Sequence, residues 1–155
     1  MQRFLCPRRG STVSLLPDCL AARVSGTLEA VEATVREASR ARTLEEAANR
    51  LREPGTVQLA GAQRWLGRRR KWVRAALVTV KGLLPGRFEG TQPTLEAFGA
   101  ELGSESVLRA LRELASGHLT GLPPPLGFGG RSGRERKVPG TAPQPRGVPL
   151  PAPGT

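Results

Sequence analysis

The apolar residues Leu59, Ala62, Leu66, Val73, Ala76, Val80 and Leu83 recur at intervals of three, four or seven, the repeat that lines up side chains on one face of an α-helix. A strand would send every second residue to the opposite face, so this stripe commits the middle of the chain to one long helix. The pattern runs from about Thr56 until Pro85-Gly86 stops it. That is about 28 residues, or roughly 42 Å at 1.5 Å per residue. Gly61, Gly67 and Gly82 fall inside the stretch and weaken its helical preference.

Shorter patterns flank it. Leu28, Val31, Val35 and Ala38 form one helical face, with Glu29, Glu32, Arg36 and Glu37 on the other faces. Thr43 with Glu46 three residues later is a capping-box signature. Leu44, Ala47, Ala48 and Leu51 then give a short apolar face that ends at Pro54-Gly55. Leu95 to Leu102 and Val107 to Ala115 read as two more amphipathic helices, separated by Gly103-Ser104, closed by Gly117 and expected to pack back on the long helix. Aromatic residues are only 4% of the chain, Tyr and Ile are absent, and no alternating stretch exceeds Thr12 to Leu16, so a substantial sheet is excluded. The expected fold class is all-α, a small helical bundle with a helix-turn-helix-like core and a long basic helix.

Composition divides the chain into three zones. Residues 1–24 read as an irregular lead that holds Cys6 and Cys19, residues 25–118 as the helical domain, and residues 119–155 as a basic tail. From Gly121 onward the tail has nine Pro and eight Gly in 35 residues, a composition that predicts disorder.

Catalytic chemistry finds little support. The chain has one His, His118, and one Asp, Asp18. His118 follows an expected helix end at Gly117, where an imidazolium complements the helix dipole. No Gly-rich phosphate loop follows a strand, and no Ser nucleophile has a His base beside it. Two cysteines fall short of the four ligands of a structural zinc site. The expectation is a non-enzymatic protein without cofactor or metal. No apolar run approaches the ~18 residues of a membrane span, and a cytoplasmic location without membrane attachment is expected.

The charge points elsewhere. Lys plus Arg number 24 against 13 Asp plus Glu, a formal +11, with 21 of the cations being Arg. A GC-rich coding bias would raise Arg everywhere, yet the excess is local. Between Glu53 and Glu89 there is no acidic residue, while Arg64, Arg68, Arg69, Arg70, Lys71, Arg74, Lys81 and Arg87 all fall there. On a helix these cations cover a wide face opposite the apolar stripe, so one side packs while the other reaches phosphates. Arg64, Arg68, Arg69, Arg70, Lys71 and Arg74 are the expected phosphate contacts on double-stranded DNA. Gln58, Gln63 and Arg64 are placed near base edges, because Gln pairs with adenine and Arg with guanine. Trp65 and Trp72, seven apart, are read as core anchors rather than base-stacking platforms. A capped short helix, a turn and a basic helix follow the plan of a helix-turn-helix, although Leu51 to Trp65 is longer than a compact one needs.

The opening Arg3-Phe4-Leu5-Cys6-Pro7-Arg8-Arg9, with Ser14-Leu15-Leu16-Pro17 after it, and Arg64-Trp65-Leu66-Gly67-Arg68 further on, resemble insertion-sequence transposase-associated proteins. In that family a zinc ribbon precedes helices and a helix-turn-helix ending in R-W-L-x-R. The resemblance spans roughly residues 3–75 and implies a DNA-binding fragment or accessory protein of a mobile element. Arg9 stands where the family has its second knuckle cysteine, so the zinc site it implies is incomplete, and the catalytic carboxylate domain of a full transposase has no counterpart in these 155 residues. Two other readings fit the same features: a helical interaction module that pairs with itself, possible as a homodimer, or an acidic partner, and a decayed, non-functional remnant.

Overall fold

The computed structural model describes residues 3–7, 11–14, 17–52 and 55–129. The protein is helical, as the periodicity predicts. Among the described residues two short strands, β1 (Arg3–Cys6) and β2 (Ser11–Ser14), precede six helices: α1 (Leu28–Arg40), α2 (Leu44–Leu51), α3 (Leu59–Leu83), α4 (Pro85–Phe88), α5 (Leu95–Leu102) and α6 (Val107–Leu114). The strands pair antiparallel with Arg3 opposite Ser14 and Cys6 opposite Ser11, so the lead expected to be irregular contains a two-stranded pairing in its first part, while residues 17–24 form turns and bends.

Local chemistry explains where the helices start and stop. Thr27, Thr43 and Thr94 sit in extended conformation before α1, α2 and α5, and each hydroxyl accepts a hydrogen bond from the amide three residues on, which satisfies one of the free donors of a first turn. At α2 the Glu46 carboxylate reaches back to the amide of Arg42 at 3.0 Å. This is the predicted capping box, closed one residue before the cap. Helix α3 runs unbroken through Gly61, Gly67 and Gly82, and ends where Pro85 disfavours helical geometry at Leu84. Pro85 then starts the single turn α4, which the periodicity does not reveal and which buries Phe88 completely. Gly103 closes α5 in the left-handed region at φ +60, a conformation that glycine enters without strain.

Packing divides α3 into two halves. Its C-terminal half contributes Val73, Ala76, Leu77 and Val80 to the main core, together with Leu28, Val31 and Val35 of α1, Phe98 of α5 and Leu108 and Leu111 of α6. Phe88 and Phe98 stack there with ring centres 4.5 Å apart. Its N-terminal half, with Ala62 and Leu66, packs on Ala38 of α1 and Ala47 and Ala48 of α2 in a smaller, alanine-rich cluster. Helix α6 packs against α1 and α5.

The packed fold continues past residue 118. Leu122 and Leu126 are buried in the main core, and the amide of Phe128 donates to the carbonyl of Leu119 at 2.9 Å. The N-terminal side joins the same structure, since Ala22 donates to Pro125 at 2.9 Å and Leu20 bridges Thr27. Helix α6 ends at Leu114 and is followed by a 3-10 turn over Ser116–His118, so Gly117 is not its cap and His118 is the exposed last residue of that turn. The rest of the predicted tail, residues 130–155, lies outside the described residues, as do Arg8 and Arg9.

Candidate nucleic-acid interface

The buried stripe of α3 is Ala62, Leu66, Arg69, Val73, Ala76, Leu77 and Val80. Leu59 is half-buried and Leu83 is 38% exposed, so the predicted stripe holds in its centre and frays at both ends. At 100° per residue, Arg64, Arg68 and Lys71 stand opposite this stripe on successive turns. Arg70 and Arg74, one turn apart, occupy one flank. All five are exposed. The ion pairs among the described residues join Arg36 to Glu32 and Arg50 to Glu37 and Glu46, and none of them neutralises a cation of α3. The Arg64 side chain lies back along its helix, with Nε donating to the carbonyl of Ala60 at 3.3 Å.

Arg69 departs from the expected phosphate face. It is 6% exposed, and Nη2 donates to the carbonyl and the hydroxyl of Ser25 at 2.8 and 3.3 Å. Its guanidinium lies 4.1 Å from the centre of the Trp65 ring, a cation–π contact. Its Nε has no hydrogen-bond partner, and burial pulls its pKa below the usual arginine value. The reason is positional. Residue 69 follows Leu66 by three and precedes Val73 by four, so it belongs to the apolar repeat and points inward.

Of the two glutamines, Gln58 is the exposed N-cap of α3 without a side-chain capping bond, and Gln63 is half-buried one turn into the helix. The connection from α2 to α3 covers residues 52–58, and Arg52 braces it by donating to Asn49 and to the carbonyl of Val57. Trp65 packs half-buried on the alanine-rich cluster, and Trp72 is also half-buried. Lys81 is engaged within the fold, its ammonium donating to the carbonyl of Thr91 at 2.8 Å.

Two more charged residues occupy apolar-stripe positions. Glu32, placed by periodicity on a solvent face, is only 4% exposed. Its carboxylate accepts from the amides of Val107 and Leu108 at 3.1 and 3.0 Å and pairs with Arg36. Ser106 leaves the start of α6 without a side-chain cap, and Glu32 supplies that function from the neighbouring helix. Arg112 of α6 donates to the carbonyls of Leu126, Pro125, Asp18 and Leu20. Burial lowers its pKa and the nearby Asp18 charge acts the other way.

Two surface grooves adjoin α3. One, of about 380 Å³, lies between α1, the middle of α3 and the start of α5, with Arg70, Lys71 and Arg74 along it. The other, of about 570 Å³, lies between α2 and the start of α3 and is lined by Leu51, Val57, Ala62 and Trp65. No group of three or more His, Cys, Asp or Glu among the described residues is placed to hold a metal ion, and Cys19 is an exposed free thiol. No helix among the described residues is long and apolar enough to cross a membrane. Comparison with protein-family models, curated proteins and solved structures returns no match to this chain.

Proposed function

We propose that this is a non-enzymatic, cytoplasmic protein that binds double-stranded DNA through the exposed face of α3, with a transposase-related origin as the resemblance implies. The observation that carries this reading is the segregation of charge. Five exposed cations, Arg64, Arg68, Arg70, Lys71 and Arg74, share one helix that has no acidic residue and no ion-pair partner among the described residues. Such a face attracts polyanions and releases their counterions on contact. Helix α2 packs against α3 beneath it, the support a helix-turn-helix gives its second helix. Gln58 and Gln63, at the N-terminal end of α3, remain the residues assigned to base edges. Fluorescence anisotropy with a random-sequence duplex tests the proposal. Wild-type protein should bind at low salt, and Arg64→Ala/Arg68→Ala/Lys71→Ala should bind at least tenfold more weakly with an unchanged helical circular dichroism spectrum. Equal binding by both proteins would remove α3 as the contact surface.

A second reading, pairing with another copy of the chain, is favoured by the groove beside α2. Leu51 is 39% and Val57 46% exposed at its edge, which leaves apolar surface open at one end of α3. Light scattering after size exclusion separates the two. A dimer that Val57→Glu converts to monomer supports pairing there, and a monomer at all concentrations rejects it.

A further inference from the structure

The groove between α1, α3 and α5 has a composition that general attraction to DNA does not require. Its rim has three cations, Arg70, Lys71 and Arg74, and its floor is formed by the buried side chains Val35, Leu77 and Leu95. Its far wall is the first turn of α5, with Thr94 as the cap and Glu96 the one carboxylate lining the groove. Three cations against one carboxylate leave an excess of positive charge over an apolar floor. None of the three cations has a hydrogen bond or ion pair among the described residues. At about 380 Å³ the groove falls within the ~300–1,000 Å³ of small-ligand sites.

We propose that this groove binds a nucleotide-sized phosphate ester, with Arg70, Lys71 and Arg74 on the phosphate and Val35, Leu77 and Leu95 beneath the less polar body. The cations supply charge-assisted hydrogen bonds to phosphate oxygens. The apolar floor distinguishes the site from a bare phosphate contact, because an inorganic anion gains nothing from it. The ligand comes from one of two sources: a free nucleotide, or an unpaired nucleotide at the end of a DNA strand. The assignment shares three residues with the duplex-binding face and stands without it, since Arg64 and Arg68 lie outside the groove.

Amide chemical shifts of the full chain, titrated with dAMP, test it. The amides of Thr94, Leu95 and Glu96 on the far wall should move saturably, and adenosine, which lacks the phosphate, should leave them in place. Arg70→Ala/Arg74→Ala should weaken dAMP binding at least tenfold, whereas Arg64→Ala/Arg68→Ala should leave it within about twofold, given that loss of ~1.4 kcal/mol is tenfold. Glu96→Gln, which removes the opposing charge, should tighten it. A duplex with a phosphorylated single-stranded overhang that displaces dAMP identifies the strand end as the source, and failure to displace it identifies the free nucleotide. If dAMP moves no far-wall amide, or moves them equally in the Arg70/Arg74 variant, the site does not exist. Binding of dAMP without binding of a blunt duplex would reject the DNA reading and keep the groove.

Discussion

Arg68 and Arg69 are neighbours in the chain with opposite roles. Arg68 is exposed on the cationic face, while Arg69 is held by Ser25 and Trp65 inside the fold. Their substitutions should therefore separate stability from binding. Arg69→Met removes a buried hydrogen bond to a backbone carbonyl and should cost about 1–2 kcal/mol in urea unfolding. Arg68→Ala should change stability by less than ~0.5 kcal/mol and reduce DNA affinity instead. Equal destabilisation by the two would contradict the inward placement of Arg69. Glu32 is the acidic counterpart. Glu32→Gln keeps the shape but removes the negative charge at the N-terminus of α6 and the pairing with Arg36, and should lower stability by about 1–2 kcal/mol. A neutral result would show that the α6 amides do not need the carboxylate.

At the scale of elements, most of the helical plan was legible. Apolar spacing marked α1, α2, α3, α5 and α6, and the Thr43–Glu46 pair marked a cap, because these signals depend on local backbone geometry. The inward charges are not legible as such, although they lie on the repeat. Arg69 continues the 62, 66, 73 series, Glu32 stands four residues after Leu28, and Arg112 stands four after Leu108. Charge in a sequence signals solvent, whereas the partners that make burial possible here come from Ser25, from α6, from Asp18 and Leu20 and from the loop before residue 129. Those partners are remote in sequence, so no local pattern contained them. The same holds for α4 and for Leu122 and Leu126, whose burial depends on tertiary packing. The glycines of α3 weaken its intrinsic helical preference, yet the helix runs through them. At Gly67 an added Cβ would meet Leu44 at an ordinary 3.8 Å. Gly67→Ala should accordingly stabilise the protein by about 0.5–1 kcal/mol, seen as a raised melting temperature. A loss of stability would mean that α2 and α3 are closer than this contact indicates.

For the whole molecule, Arg112 is the residue that joins the chain's two outer segments to the bundle. It bonds Asp18 and Leu20 on one side and Pro125 and Leu126 on the other, so residues 17–27 and 119–129 close over α6 as one unit. Arg112→Met would take the guanidinium donors from the carbonyls of Asp18, Leu20 and Leu126, while Pro125 keeps the amide of Ala22. It should cost about 3 kcal/mol and weaken hydrogen-exchange protection at Ala22 and Phe128 more than in α3. Uniform loss of protection would show that the two segments are not a separate cooperative unit. The positive charge is organised on the same scale. The fold takes Arg69, Lys81 and Arg112 for internal bonds and leaves five cations of α3 facing outward. Anisotropy of duplex DNA binding across a salt series counts those five most directly. Each neutralised phosphate contributes about −0.9 to the slope of log affinity against log salt, so the account predicts a slope of about −4.5, falling to about −2 when Arg64, Arg68 and Lys71 are replaced by alanine. A slope near zero, or one that the triple substitution leaves unchanged, would contradict DNA binding through α3.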